Sequence, residues 1–84
     1  MAESFIARLL GRASPHRKHV QSALLHANDP NAEMRRSAAF RLGKHADKSD
    51  EEVAEVLNKL KDDPVREVRN AAKWAMQRLE TGSN

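Results

Sequence analysis

The feature that most constrains this chain is a stretch written twice. From Asp29 it reads D-P-N-A-E-M-R-R-S-A-A-F-R-L, and from Asp63 it reads D-P-V-R-E-V-R-N-A-A-K-W-A-M-Q-R-L. Asp29, Pro30, Met34, Arg35 and Ala38 answer to Asp63, Pro64, Val68, Arg69 and Ala72, always 34 residues apart. The aromatics agree as well, Phe40 falling on Trp74. Self-similarity at such a period signals a stack of small supersecondary units, each too small to bury its own apolar face. It dictates an architecture and a kind of surface. It names no substrate.

Each copy has the grammar of a helix. Asp before Pro predicts a start, because the carboxylate accepts first-turn N–H groups and Pro has none to lose. Apolar residues then recur at helical spacing: Val68, Ala72, Ala75, Met76 and Leu79 in one copy, Met34, Ala38 and Leu42 in the other. A second match lies upstream, where Val53, Val56, Leu57 and Leu60 follow Val20, Ala23, Leu24 and Ala27 by 33 residues. Ser14-Pro15 predicts a helix to about Asn28, and Ser49-Asp50-Glu51-Glu52 reads as a capping box with Ser49 at the cap. Helices are therefore expected from Pro30 to between Gly43 and Ala46, and from Pro64 to Glu80. Residues 2–12, with Phe5, Ile6, Leu9 and Leu10 on one side, read as an orphan second helix capping the stack. The fold expected is all-α: a right-handed α-solenoid of antiparallel helix pairs, about five helices in all. It forms one domain over residues 1–84, with the cap at 2–12, repeats at 15–46 and 49–80, and a frayed tail at 81–84.

Paired helices carrying D-P-x3-(M/V)-R-x2-A at the second helix resemble HEAT repeats, in particular the short HEAT-like repeats of prokaryotic proteins and of bilin lyases. The resemblance spans roughly residues 16–79. Tetratricopeptide and ankyrin units share the period, but the Trp-Leu-Gly-Tyr and Thr-Pro-Leu-His signatures are missing. The resemblance implies that Asp29, Arg35, Asp63 and Arg69 are structural, tying turns together along the stack. It also implies a binding scaffold more often than an enzyme.

Composition narrows the function further. At 84 residues the chain is near the size where one core is barely sufficient. With no cysteine there is no disulfide framework, and a reducing cytoplasm is the expected address. No apolar run is long enough for a membrane span, and no secretory signal is evident. Residues 1–27 carry Arg8, Arg12, Arg17 and Lys18 against Glu3, so the whole net charge of +3 sits at that end. Such an asymmetry permits nucleic acid or an acidic partner.

No catalytic, metal or cofactor constellation emerges. His16, His19 and His26 lack a His-Glu pairing, Ser22, Ser37 and Ser49 lack a His-Asp partner, and Gly11, Gly43 and Gly82 are isolated. Arg41 lies on a core-facing stripe and must find a carboxylate or reach water along its stem. Leu25 points away from the core. The second helices are expected to line an inner face with Arg36, Ala39, Phe40, Gly43, Asn70, Lys73, Trp74 and Gln77. Phe40 and Trp74 either pack between repeats or stand exposed there. The leading expectation is a non-enzymatic protein- or peptide-binding module, with self-association through the solenoid ends open. The alternative is nucleic-acid binding through Arg8, Arg12, Arg17 and Lys18, with Arg36 and Lys73. A lyase-type or accessory role is the third.

Overall fold

The computed structural model describes residues 15–47 and 49–81, and every described element is helical. Four helices follow one another: α1, Pro15–His26; α2, Ala32–His45; α3, Glu51–Leu60; and α4, Arg66–Glu80. The expected cap at 2–12 and the tail beyond Thr81 lie outside the described residues. The most extensive packing joins the two second helices, α2 and α4. α1 packs against α2, and α3 against α4.

One core runs through all four helices. Val20, Ala23 and Ala27 enter from α1 and Ala38, Ala39 and Leu42 from α2. Val53, Leu57 and Leu60 come from α3, and Val68, Ala71, Ala72, Ala75 and Leu79 from α4. Alanine dominates the α2–α4 contact, so the two backbones come close and small residues set the spacing. Leu25 is 79% exposed, as its angle on α1 dictates.

The Asp-Pro pairs do not open the helices. Helix α2 starts at Ala32 and α4 at Arg66, two residues later than the sequence suggests. Asp29 Oδ1 accepts from the N–H of Asn31 at 2.8 Å and Asp63 Oδ1 from that of Val65 at 2.9 Å. Each bond makes a tight turn, which Asp does as readily as it caps a helix. The turn holds because an arginine six residues on takes its carbonyls. Arg35 Nη1 donates to the carbonyls of Asp29 and Pro30 at 2.8 and 3.0 Å. Arg69 Nη1 donates to those of Asp63 and Pro64 at 2.8 and 3.1 Å. Asn31 then caps α2 by accepting from the N–H of Glu33.

The cap of α3 also differs from expectation by one residue. Asp47 captures both the amide and the hydroxyl of Ser49, each at 2.9 Å. Asp50 therefore takes over as cap, accepting from the N–H groups of Glu52 and Val53.

Candidate functional site

Arg35 joins the two repeats. Its Nε and Nη2 donate to Asp63 Oδ2 and Oδ1 at 2.7 and 3.1 Å, a two-point guanidinium–carboxylate bond between neighbouring turns. The Asp63 side chain is 7% exposed and that of Arg35 15%, so the pair is largely withdrawn from water. Bonding from Arg35 holds the Asp63 carboxyl below its ordinary 3.8, outweighing the burial that pushes it up. The same bond raises the pKa of Arg35 above its ordinary value. Lys59 Nζ donating to Asn28 Oδ1 at 3.1 Å adds a weaker cross-link on the same side.

Across α2 and α4 runs a row of four side chains in which rings and guanidiniums alternate. Arg36 lies over the Phe40 ring at 5.1 Å, and Phe40 meets Trp74 at 5.2 Å between ring centroids, tilted by 58°. Arg78 lies over the Trp74 ring at 5.6 Å. Each arginine sits four residues from its ring on the same helix, the spacing that puts two side chains on one face. Trp74 keeps 37% of its surface exposed. It does both things the sequence left open, packing on Phe40 and presenting an aromatic surface to solvent. Gln77, Arg78 and Thr81 border a shallow recess beside it. Arg78 was missing from the sequence reading, although its spacing from Trp74 could have flagged it.

The remaining expected face residues divide by repeat. Ala39 and Gly43 are buried against α4, not displayed. A Cβ on Gly43 would stand 2.7 Å from Trp74 Cζ3 and 3.0 Å from both Cα and Cβ of Ala75. Their counterparts one repeat on are Lys73 and Gln77, both exposed, as is Asn70. Positions that are small in α2 to admit α4 are long and polar in α4. A further helix cannot approach α4 as closely as α4 approaches α2.

Of the expected basic end, Arg8 and Arg12 lie outside the described residues. Lys18 is exposed. Arg17 Nη1 pairs with Asp50 Oδ2 at 3.3 Å, linking α1 to the start of α3. Arg41 meets no carboxylate among the described residues: Nη1 donates to the Ser22 hydroxyl at 3.3 Å. His19 stacks on His45 at 4.5 Å, a packing contact between α1 and α2. Among the described residues no group of His, Asp or Glu could hold a metal ion. No described helix is long and apolar enough to cross a membrane.

Comparison with known proteins agrees with this repeated geometry. A family model described as HEAT repeats matches residues 3–77. No curated protein and no solved structure matches the chain.

Proposed function

The chain belongs to the HEAT-repeat family, and from that membership we propose that it is a non-enzymatic module binding a protein or peptide. HEAT repeats generally mediate protein interactions. In this reading the repeats at 15–46 and 49–80 form a right-handed α-solenoid of antiparallel pairs. The partner lies across α2 and α4 on the Phe40–Trp74 pair, flanked by Arg36 and Arg78. Asn70, Lys73 and Gln77 border it with polar groups.

One observation carries the proposal: Trp74, 37% exposed, is fixed between Phe40 and Arg78. Trp and Arg dominate the residues whose truncation costs most at protein interfaces, and a ring already fixed loses little freedom on binding. As the only Trp of the chain it also reports on itself. Its fluorescence is expected to be quenched readily by acrylamide in dilute protein and to be shielded once the partner, recovered by affinity capture, is added back. Trp74→Leu with Arg78→Glu is expected to keep the cooperative melt and lose the partner. Undiminished binding by that variant refutes the proposal.

A further inference from the structure

The two Asp-Pro turns give equivalent arginines different fates. Arg35 and Arg69 are held alike, each with Nη1 on two carbonyls of its own turn. The other edge of Arg35, Nε and Nη2, is filled by the carboxylate of Asp63. The same edge of Arg69 meets no carboxylate among the described residues. We propose that the open edge of Arg69 is a carboxylate-binding site, taking an Asp or Glu side chain from an acidic segment of the partner. This deepens the reading of the chain as a partner-binding module and rests on it.

The site is oriented before any ligand arrives. Two carbonyls fix the plane of the Arg69 guanidinium, and a planar fork so held matches a carboxylate at two points. Arg35 and Asp63 display the finished bond within the same molecule. The surroundings favour the same charge. Lys73 stands one helical turn further along and is exposed, and α4 carries Arg66, Arg69, Lys73 and Arg78 against Glu67 and Glu80. An acidic segment crossing Arg69 and Lys73 would continue towards Trp74, the next residue.

A second copy of the chain is the other source of a carboxylate. The Asp29 turn lacks an arginine on its carboxylate among the described residues, where the imidazole Nδ1 of His26 lies 3.7 Å away instead. Stacking argues against it. Where α4 buries Ala71 and Ala75, the matching positions of α2 are Ser37 and Arg41. A second copy would set Arg41 towards α4 beside Lys73, cation near cation, with Gln77 where a small residue is needed. A single acidic segment meets neither obstacle.

The experiment is a titration of the full chain followed by NMR of the arginine Nε–H groups. The probes are an eight-residue peptide alternating Glu and Leu and its Gln/Leu counterpart. The Glu peptide is expected to move the Arg69 Nε–H towards the position of Arg35, whose Nε–H already has its carboxylate, while the Gln peptide leaves it in place. Arg69→Lys keeps the charge and a donor for the carbonyls but loses the fork, so it is expected to weaken the Glu peptide about tenfold. Arg66→Lys, at an exposed position on the same helix, controls for the loss of a guanidinium away from the site and is expected to change nothing. A Trp74 indole signal that shifts with the Glu peptide while Arg69 stays still overturns the carboxylate site and leaves the aromatic surface standing. Equal losses in the two lysine variants overturn it too, because the fork at Arg69 would then matter no more than a guanidinium at an exposed position of the same helix. Sedimentation that reveals association abolished by Asp29→Asn would assign the fork to a second copy and overturn the acidic-segment proposal.

Discussion

Gly43→Ala tests the closest helix contact of the molecule, because two opposed effects can be weighed there. In an ordinary helix interior the change stabilises, by about 0.8–1.0 kcal/mol, since Gly is the costlier residue to order. Gly43 lies in the last turn of α2, so at most that gain applies. Against it stands the geometry of the added methyl, 2.7 Å from Trp74 Cζ3 and 3.0 Å from Cα and Cβ of Ala75. The Trp74 ring, though packed on Phe40, is a side chain with 37% of its surface exposed, so an added methyl can push it outward. The Ala75 Cα cannot yield so, because it is backbone within a packed helix. Overpacking that moves backbone costs about 1–3 kcal/mol, which outweighs the helical gain through most of its range. The expected net is a loss of about 1 kcal/mol, or roughly 4–8 °C in the melting midpoint of a domain this size. Urea denaturation gives the free energy, and Trp74 emission gives the geometry: the displaced ring should shift towards the red in the folded baseline. Gln77→Ala supplies the control, because the equivalent position faces solvent and should change stability by less than about 0.5 kcal/mol. If Gly43→Ala raises the midpoint instead, α2 and α4 do not approach as described.

Four further outcomes are expected. Asp63→Asn should lower stability by about 1–3 kcal/mol in urea at pH 7, because it leaves the Arg35 fork without its carboxylate. The Asp63 carboxyl is held below its ordinary 3.8 when folded, so its stabilisation is full above that value and disappears as pH falls through the lower folded one. An acid titration should therefore bring native and Asp63→Asn curves together only below that pH. Arg35→Ala should destabilise more than Arg69→Ala, since one loses a carboxylate and two carbonyls and the other two carbonyls; equal midpoints would show that the bond between turns contributes nothing. At about 50 mM salt, where phosphate contacts are strongest, the chain should pass a DNA or RNA column unretained, and retention that falls steeply with salt would favour the nucleic-acid alternative.

The repeat was readable in the sequence because its marks are local and occur twice. Asp, Pro, Arg and the alanines recur at one spacing, and apolar periodicity with the start signals placed the beginnings of four helices within two residues of those observed. What escaped reading depends on contacts that the local pattern does not contain. Asp-Pro suits a helix start and a turn equally well, and the arginine that takes the turn carbonyls decides between them. Ser49 and Asp50 are both good caps, and the choice falls to Asp47, which occupies Ser49 first. Arg17 reads as a free cation until the fold brings Asp50, 33 residues away, to 3.3 Å. Phe40 and Trp74 matched in the repeat, yet only the packing of α2 on α4 makes them touch.

Equivalence between repeats also misleads in one specific way. Ala39 and Gly43 share their register with Lys73 and Gln77, so a face drawn from register alone holds all four. In the structure the first two are buried, Gly43 against Trp74 and Ala75, and the second two are exposed on the last described helix. The arginine bond also has a direction: Arg35 reaches forward, to the Asp of the next turn. A stack built on such a bond has unequal ends among its described residues, an Asp29 carboxylate without an arginine at one and an Arg69 fork without a carboxylate at the other. Register therefore tells which residues are alike, and position in the stack tells which of them a partner can reach. Trp74 combines the two, sharing the register of a packed Phe40 while standing where nothing described covers its outer side.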